Sequence, residues 1–218
     1  RIVYRLPDAM PFEEAAMLEA VSVALHAVAV SNLAGGGTAL VIGAGMIGLL
    51  TMQAAFASGC SRVFIADIDE SRLRLAESLG ATGTLCCSGE ELVRACEQMT
   101  DGYGVDVVLE AVGRTETIAA GIDAVRKGGT VTLIGNITPT VTIPLQKVVS
   151  RQIRLQGSAA SAGEYPRAIE LVSTGKIRVK PLISAVAPLA DGPAWFARLH
   201  AHEPNLMKVV LSPEKESA

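Results

Sequence analysis

Three glycines and one carboxylate carry the first chemical signal. The run GAGMIG places Gly43, Gly45 and Gly48 in G-x-G-x-x-G spacing. A lone match is weak, because glycines also serve ordinary tight turns. Here an apolar strand, TALVIG, precedes the motif and an apolar helix, MIGLLTMQAAFAS, follows it, which is the context the motif requires. Gly43 then allows a tight turn, Gly45 lets a pyrophosphate approach the backbone, and Gly48 lets the helix pack close to the sheet. Free N–H groups at the helix start face the negative charge. The next strand, RVFIAD, ends on Asp67, at about the twenty-residue offset at which a carboxylate receives both ribose hydroxyls of a bound dinucleotide. That carboxylate repels a 2′-phosphate, and Ile68 offers no positive charge to receive one, so NAD is expected rather than NADP. Arg72 either flanks the same ribose or adenine, or is a solvated helix arginine. Asp69 and Glu70 read as N-terminal helix charges favoured by the dipole.

Further along, small residues gather at strand ends: Glu110-Ala111-Val112-Gly113, Ile134-Gly135-Asn136 and Ser158-Ala159. They leave room for a flat ring and expose backbone groups to a carboxamide, or else form ordinary strand-to-helix turns. One residue is out of place. Glu19 interrupts the apolar helix MLEAVSVALHAV. Glu19, Ser22 and His26 are spaced three and four apart, so they share a face, which reads as a wet stripe. The four cysteines, Cys60, Cys86, Cys87 and Cys96, fit no metal-binding spacing and read as buried or idle thiols in a reducing cytosol.

The elements that would position these groups alternate strand and helix. A helix is expected from Pro11 to Val30, then strands at 38–43, 62–67, 82–87, 105–111, 129–135 and 153–158, separated by helices at 46–58, 70–80, 90–99 and 115–127. The segment VTIPLQKVVSR reads as a short edge strand and a helix. Continuous apolar strands between helices indicate a parallel sheet covered on both faces. Six of them fit an α/β, doubly wound Rossmann sheet. After residue 158 the pattern loosens into a helix at 162–175, an extended stretch at 180–189, a helix at 192–202 and a strand at 206–212.

Half of the 218 residues are hydrophobic but only 4% are aromatic, so the core is built from Ala, Val, Leu and Ile. The net charge of −3 carries no basic run, which argues against a nucleic-acid partner. No membrane-spanning segment or signal peptide is read, so a cytoplasmic location is expected. The chain opens on Arg1 and RIVYRLPDAMPFEEA, which reads as a connector, so a preceding lobe is expected.

Taken in order, LPDAMPFEEAAMLEAVSVALHAV, VIGAGMIGLL, VFIADIDESRL, VLEAVG, RKGGTVTLIGN, VKPLI and LMKVVL resemble the medium-chain dehydrogenases of the zinc alcohol dehydrogenase superfamily, in particular the sorbitol (polyol) and threonine dehydrogenase branch. The resemblance implies a division into a connector from a GroES-like catalytic lobe (1–22), a dinucleotide-binding domain (23–158) and a return to the catalytic lobe (159–218). It implies NAD, a zinc ion in the complete protein, an alcohol or polyol substrate and a homodimer or homotetramer, with TVTIPL as an edge for pairing. Zinc-assisted hydride transfer from a secondary alcohol is the implied reaction. Gly43, Gly45, Met46 and Ile47 would hold the pyrophosphate. Asp67 and Arg72 would hold the ribose, and Ala111 and Val112 would border the cofactor's middle. Ile134, Gly135 and Ala159 would lie near the nicotinamide, and Lys208 would reach back to the pyrophosphate. Glu19 would lie beside the zinc, with Ala20 where the branch has proline. Met46 also stands in place of a usual proline, and Ala159-Ala160 replace an aromatic residue and an arginine, which puts a sorbitol-type substrate in doubt. A zinc-free reductase, a stand-alone NAD-binding or redox-sensing module, and an S-adenosylmethionine methyltransferase are the competing readings. Glu19 argues against the first and Gly48 with the six strand–helix units against the last.

Overall fold

The computed structural model describes residues 3–213. Six parallel strands form one sheet: β1 (Thr38–Ile42), β2 (Arg62–Ala66), β3 (Gly83–Leu85), β4 (Val105–Glu110), β5 (Val125–Leu133) and β6 (Arg154–Gly157). Their spatial order is β3-β2-β1-β4-β5-β6, the doubly wound arrangement expected. The helices are α1 (Phe12–Ala15), α2 (Leu18–Val30), α3 (Met46–Ala57), α4 (Glu70–Ser78), α5 (Gly89–Met99), α6 (Thr115–Ala124), α7 (Leu145–Ser150), α8 (Tyr165–Ser173) and α9 (Gly192–His200).

Alternation along the strands divides the core in two. Ala39 and Val41 of β1 join a cluster with α2, α3, α4 and α8. Leu40 and Ile42 join the opposite cluster with α5 and α6. Both faces of β1 are therefore buried, which is why its sequence is a continuous apolar run rather than an alternating one. Beyond the main sheet, β7 (Ile183–Pro188) and β8 (Lys208–Ser212) form a separate two-stranded parallel sheet. Among the described residues, no helix is long and apolar enough to cross a membrane.

Several expected elements differ. The helix expected over 11–30 is broken after Ala15. Met17 N–H bonds to Glu14 O, one residue short of the α-helical partner, and the fully buried Met17 side chain anchors the break. The helix expected to run through Lys127 stops at Ala124. Val125 turns extended and pairs with Val105, starting β5 four residues before the expected strand. The register then shifts between Val105 and Val107, and Gly128 takes a positive φ of 73°. Segment 141–144 forms no strand, so TVTIPL is not a regular edge in the single chain. The stripe expected on α2 is only partly wet. Glu19 is exposed, but Ser22 is fully buried and donates its hydroxyl to Glu19 O.

A candidate nucleotide-binding cleft

Beyond the carboxyl ends of β1, β2 and β4, and bounded by residues of α5 and α6, a cleft of about 650 Å³ opens. Gly43, Asp67, Arg72, Cys87, Val112 and Arg114 line it. The glycine turn is built as the spacing predicts. Gly43 has φ 99°, and a Cβ there would stand 2.8 Å from Val112 Cγ2. A Cβ on Gly48 would fall 1.7 Å from Gly43 O, so α3 can approach β1 only over a glycine. Gly45 is different: nothing lies within 4 Å of where its Cβ would be. It is the N-cap of α3, extended at φ −70°, ψ −179°, with no side chain capping the helix. The first-turn N–H groups of Met46, Ile47 and Gly48 lack intrahelical acceptors by the geometry of any α-helix. The side chains of Met46 and Ile47 turn away into the core.

Asp67 follows β2. Its Oδ2 accepts from Ala44 N–H at 2.6 Å and its Oδ1 from Asp69 N–H at 3.0 Å. Each carboxylate oxygen still has a free lone pair for a hydroxyl. Arg72 stands 3.9 Å from Asp67 Oδ2 and 3.5 Å from Asp69 Oδ2, so two carboxylates already share its charge. Asp69 also accepts from Ser71 Oγ and from the N–H groups of Ser71 and Arg72. The Ser71 hydroxyl leads in holding that carboxyl below its usual range.

One residue named in the sequence only as part of a strand end has a role that its type alone did not reveal. Glu110 ends β4 and is fully buried. Its carboxylate accepts from Val112 N–H at 3.0 Å and Gly113 N–H at 2.9 Å, and its carbonyl accepts from Ile134 N–H and Gly135 N–H. It therefore braces the turns after β4 and β5 together. Burial pushes its pKa up, against those same hydrogen bonds. A charged residue closing an otherwise apolar strand was the available signal. The small residues beside it do not simply leave room for a ring. A Cβ on Gly135 would lie 2.2 Å from Val112 C, and one on Gly113 would lie 2.4 Å from Asn136 N, so the two turns abut backbone to backbone.

At the far end, Ser158 N–H bonds to Leu133 O, continuing the β5–β6 pairing beside Ile134. The hydroxyls of Ser158 and Thr132 are buried and have no hydrogen-bond partner among the described residues. Ala159 is exposed. The structure thus gathers Gly43, Asp67, Arg72 and Val112 around one crevice, with Ala111 adjoining Gly43, while Gly45, two residues beyond Gly43, lies outside its lining. Lys208 stands apart: it opens β8 opposite Ile183 and is not among the cleft's lining residues.

A dinucleotide fits these residues: an open cradle over Gly45, a carboxylate at the second strand end and unsatisfied hydroxyls toward the β6 end. Zinc does not. Among the described residues no three His, Cys, Asp or Glu side chains lie close enough to hold a metal, and the exposed Glu19 is a single carboxylate. A zinc site takes three or four protein ligands.

Residues 47–174 match the family model for zinc-binding dehydrogenases. The chain is 36% identical over 189 residues to L-idonate 5-dehydrogenase of Vitis vinifera, covering 84% of this chain and 51% of that protein. It is 35% identical over 189 residues to sorbitol dehydrogenase of Bos taurus, covering 85% and 53%. A solved structure from Sinorhizobium meliloti 1021, described as a zinc-binding dehydrogenase bound to NADP, superposes with a TM-score of 0.85 at 29% identity, over 96% of this chain and 62% of that one. The chain thus spans less than two thirds of the length of each relative.

Proposed function

The chain belongs to the zinc-binding dehydrogenase family, and from that premise we propose that it is the NAD-binding portion of a zinc-type alcohol or polyol dehydrogenase. The observation that carries the reading is the cleft that joins the Gly43 turn to Asp67 at the next strand end, with open space over Gly45 at the start of α3 beside it. The N–H groups of α3 bind the pyrophosphate, and the helix dipole favours its charge. Asp67 accepts from the adenosine ribose hydroxyls. Ile134, Gly135 and Ala159 border the nicotinamide end, and Ala111 and Val112 the middle. When bound, the nicotinamide supplies the hydride chemistry. The residues position its ring and exclude water from one face.

NAD is favoured over NADP. The charge of Asp67 opposes a 2′-phosphate at this strand end, and the charge of Arg72 is shared between Asp67 and Asp69. The substrate is a small alcohol or polyol, and the two alanines at 159 and 160 leave its identity open. Glu19 is a metal-adjacent carboxylate only where the remaining ligands come from elsewhere, so no step here runs through zinc. Residues 1–22 and 159–218 lead from and back to a catalytic lobe, with α8 of the latter packed on α2 in the nucleotide-binding core; the assembly is a homodimer or homotetramer, and four free thiols suit the cytoplasm.

Calorimetric titration of the purified chain with NAD and NADP tests the reading. Saturable NAD binding with NADP at least about tenfold weaker, the effect of one unfavourable charge contact, is expected. Equal or stronger NADP binding would overturn the NAD assignment, and binding of neither would overturn the cofactor reading. Zinc-dependent alcohol oxidation by the chain alone would contradict the view that the described residues supply no complete set of metal ligands.

A further inference from the structure

His26 and Glu164 lie 138 positions apart in the chain yet meet at 2.8 Å, Nδ1 to Oε1. Both side chains are only 18% exposed. His26 sits on α2 and Glu164 is the N-cap of α8, two helices packed against each other. An ionised carboxylate can only accept, so the imidazole Nδ1 carries the proton. The second oxygen, Oε2, accepts from Ala162 N–H. Burial of the Glu164 carboxyl is outweighed by the bonds from His26 and Ala162, which hold it below the usual range.

The segment between Ser158 and Glu164 has few other ties. Among the described residues, Ala162 N–H is the one backbone donor from 159 to 163 with a protein acceptor. Ala160 takes φ 51° and Gly163 φ 109°. A non-glycine residue at positive φ is held there only by its surroundings. Immediately beyond, Tyr165 stacks on Tyr4, with ring centroids 5.7 Å apart and planes 6° from parallel. Glu164 is thus the fixed point from which the loop hangs, and His26 sets the direction of its carboxylate.

We propose that His26 and Glu164 are a positioning pair that holds the β6–α8 loop, and with it Ser158 and Ala159, in the place where the nicotinamide end of the cofactor docks. The inference rests on the cofactor reading above. The pair touches neither cofactor nor substrate. It acts through the loop, so it affects the reactive end of the dinucleotide and leaves the adenosine end, held by Gly45 and Asp67, undisturbed.

The test compares NAD with ADP-ribose, which lacks the nicotinamide, on wild type, His26→Ala, Glu164→Ala, Glu164→Gln and the His26→Ala/Glu164→Ala double variant. Loss of one charge-assisted hydrogen bond predicts about tenfold weaker NAD binding in either alanine variant, with ADP-ribose unchanged within about twofold. The double variant matches the singles, because the pair acts as one unit. Glu164→Gln keeps an acceptor for Ala162 and recovers most of the affinity. Parallel loss of NAD and ADP-ribose would show a general structural role and overturn the proposal, as would unchanged NAD affinity. Amide exchange at Ala162 keeps this separate from the cofactor reading. If wild type binds neither ligand, the cofactor reading fails. Faster Ala162 exchange in Glu164→Ala but not in Glu164→Gln then still supports the pair, and unchanged exchange overturns it.

Discussion

Replacing Gly45 with alanine separates folding from binding. Gly45 has φ −70°, a value any residue adopts, and its missing Cβ would touch nothing within 4 Å. Alanine narrows the unfolded ensemble, worth about 0.4–1 kcal/mol, and is a poorer N-cap than glycine by a similar amount. The two terms nearly cancel, so the melting temperature should move by no more than about 2 °C. In the proposed cofactor site, the new methyl group would stand where a pyrophosphate approaches the α3 N–H groups. Losing one charge-assisted hydrogen bond costs about 1.5–3 kcal/mol, or ten- to a hundredfold in Kd. Gly48→Ala is the opposite case. Its Cβ would lie 1.7 Å from Gly43 O, so backbone must move. That places the substitution at or above the upper end of overpacking, about 3 kcal/mol, and lowers the melting temperature by about 10 °C. Calorimetric NAD titration and thermal unfolding of both variants are the assays. A Gly45→Ala protein that binds NAD like wild type would refute the cradle, and a Gly48→Ala protein of wild-type stability would refute the tight α3–β1 approach.

Other outcomes follow from neighbouring residues. Asp67→Asn keeps an acceptor for Ala44 N–H but loses the charge offered to ribose, so AMP and NAD should both weaken by about tenfold in titrations. Burial raises the folded pKa of Glu110, so its favourable contribution is complete below the unfolded value of about 4.3 and is lost as pH rises through the folded value. Wild type should therefore lose stability relative to Glu110→Gln as pH rises above about 4.3, measured by urea unfolding across pH, and a constant difference would contradict the sign. With iodoacetamide, exposed Cys86 should react first, and NAD should protect Cys87 in the cleft wall, as peptide mapping would show. Cys60 and Cys96 should stay unlabelled until unfolding, because they are buried and burial pushes the Cys96 thiol up to about 11.

The features readable in the sequence are those set by short-range periodicity. The run TALVIG had to be a doubly buried strand, and the GAGMIG turn after it had to meet a helix. Strand number and the positions of Gly43, Gly45, Gly48 and Asp67 followed from such local patterns. Features made by distant pairing did not. Val125 prefers strand over helix because Val105 is there to pair with it. The break in the first helix depends on Met17 finding a core. His26 shows no chemistry without Glu164, and Ser22 looks wet until α2 is seen packed. Arg151 illustrates the same limit: its guanidinium donates to the carbonyls of Ile122, Asp123 and Val125, closing the end of α6 from a separate segment. At Glu110 the residue type was visible, but its role depends on where the β5 turn comes to rest.

The strand order also has a mechanical consequence. The sheet joins two halves, β1–β3 and β4–β6, along the single seam between β1 and β4. One end of the seam is clasped by Asp106, whose Oδ2 accepts from Thr38 N–H and Thr38 Oγ1 at 2.8 and 2.9 Å. The other end opens into the cleft, where Ala111 N–H to Ile42 O is the last rung. A nucleotide lying there spans both halves and bolts the loose end. At a hundredfold excess over its Kd, such a ligand adds about 2.7 kcal/mol against unfolding. Occupancy would then set how long the folded chain survives a protease, and a shortage of nucleotide would be felt as turnover of the protein before it was felt as lost chemistry.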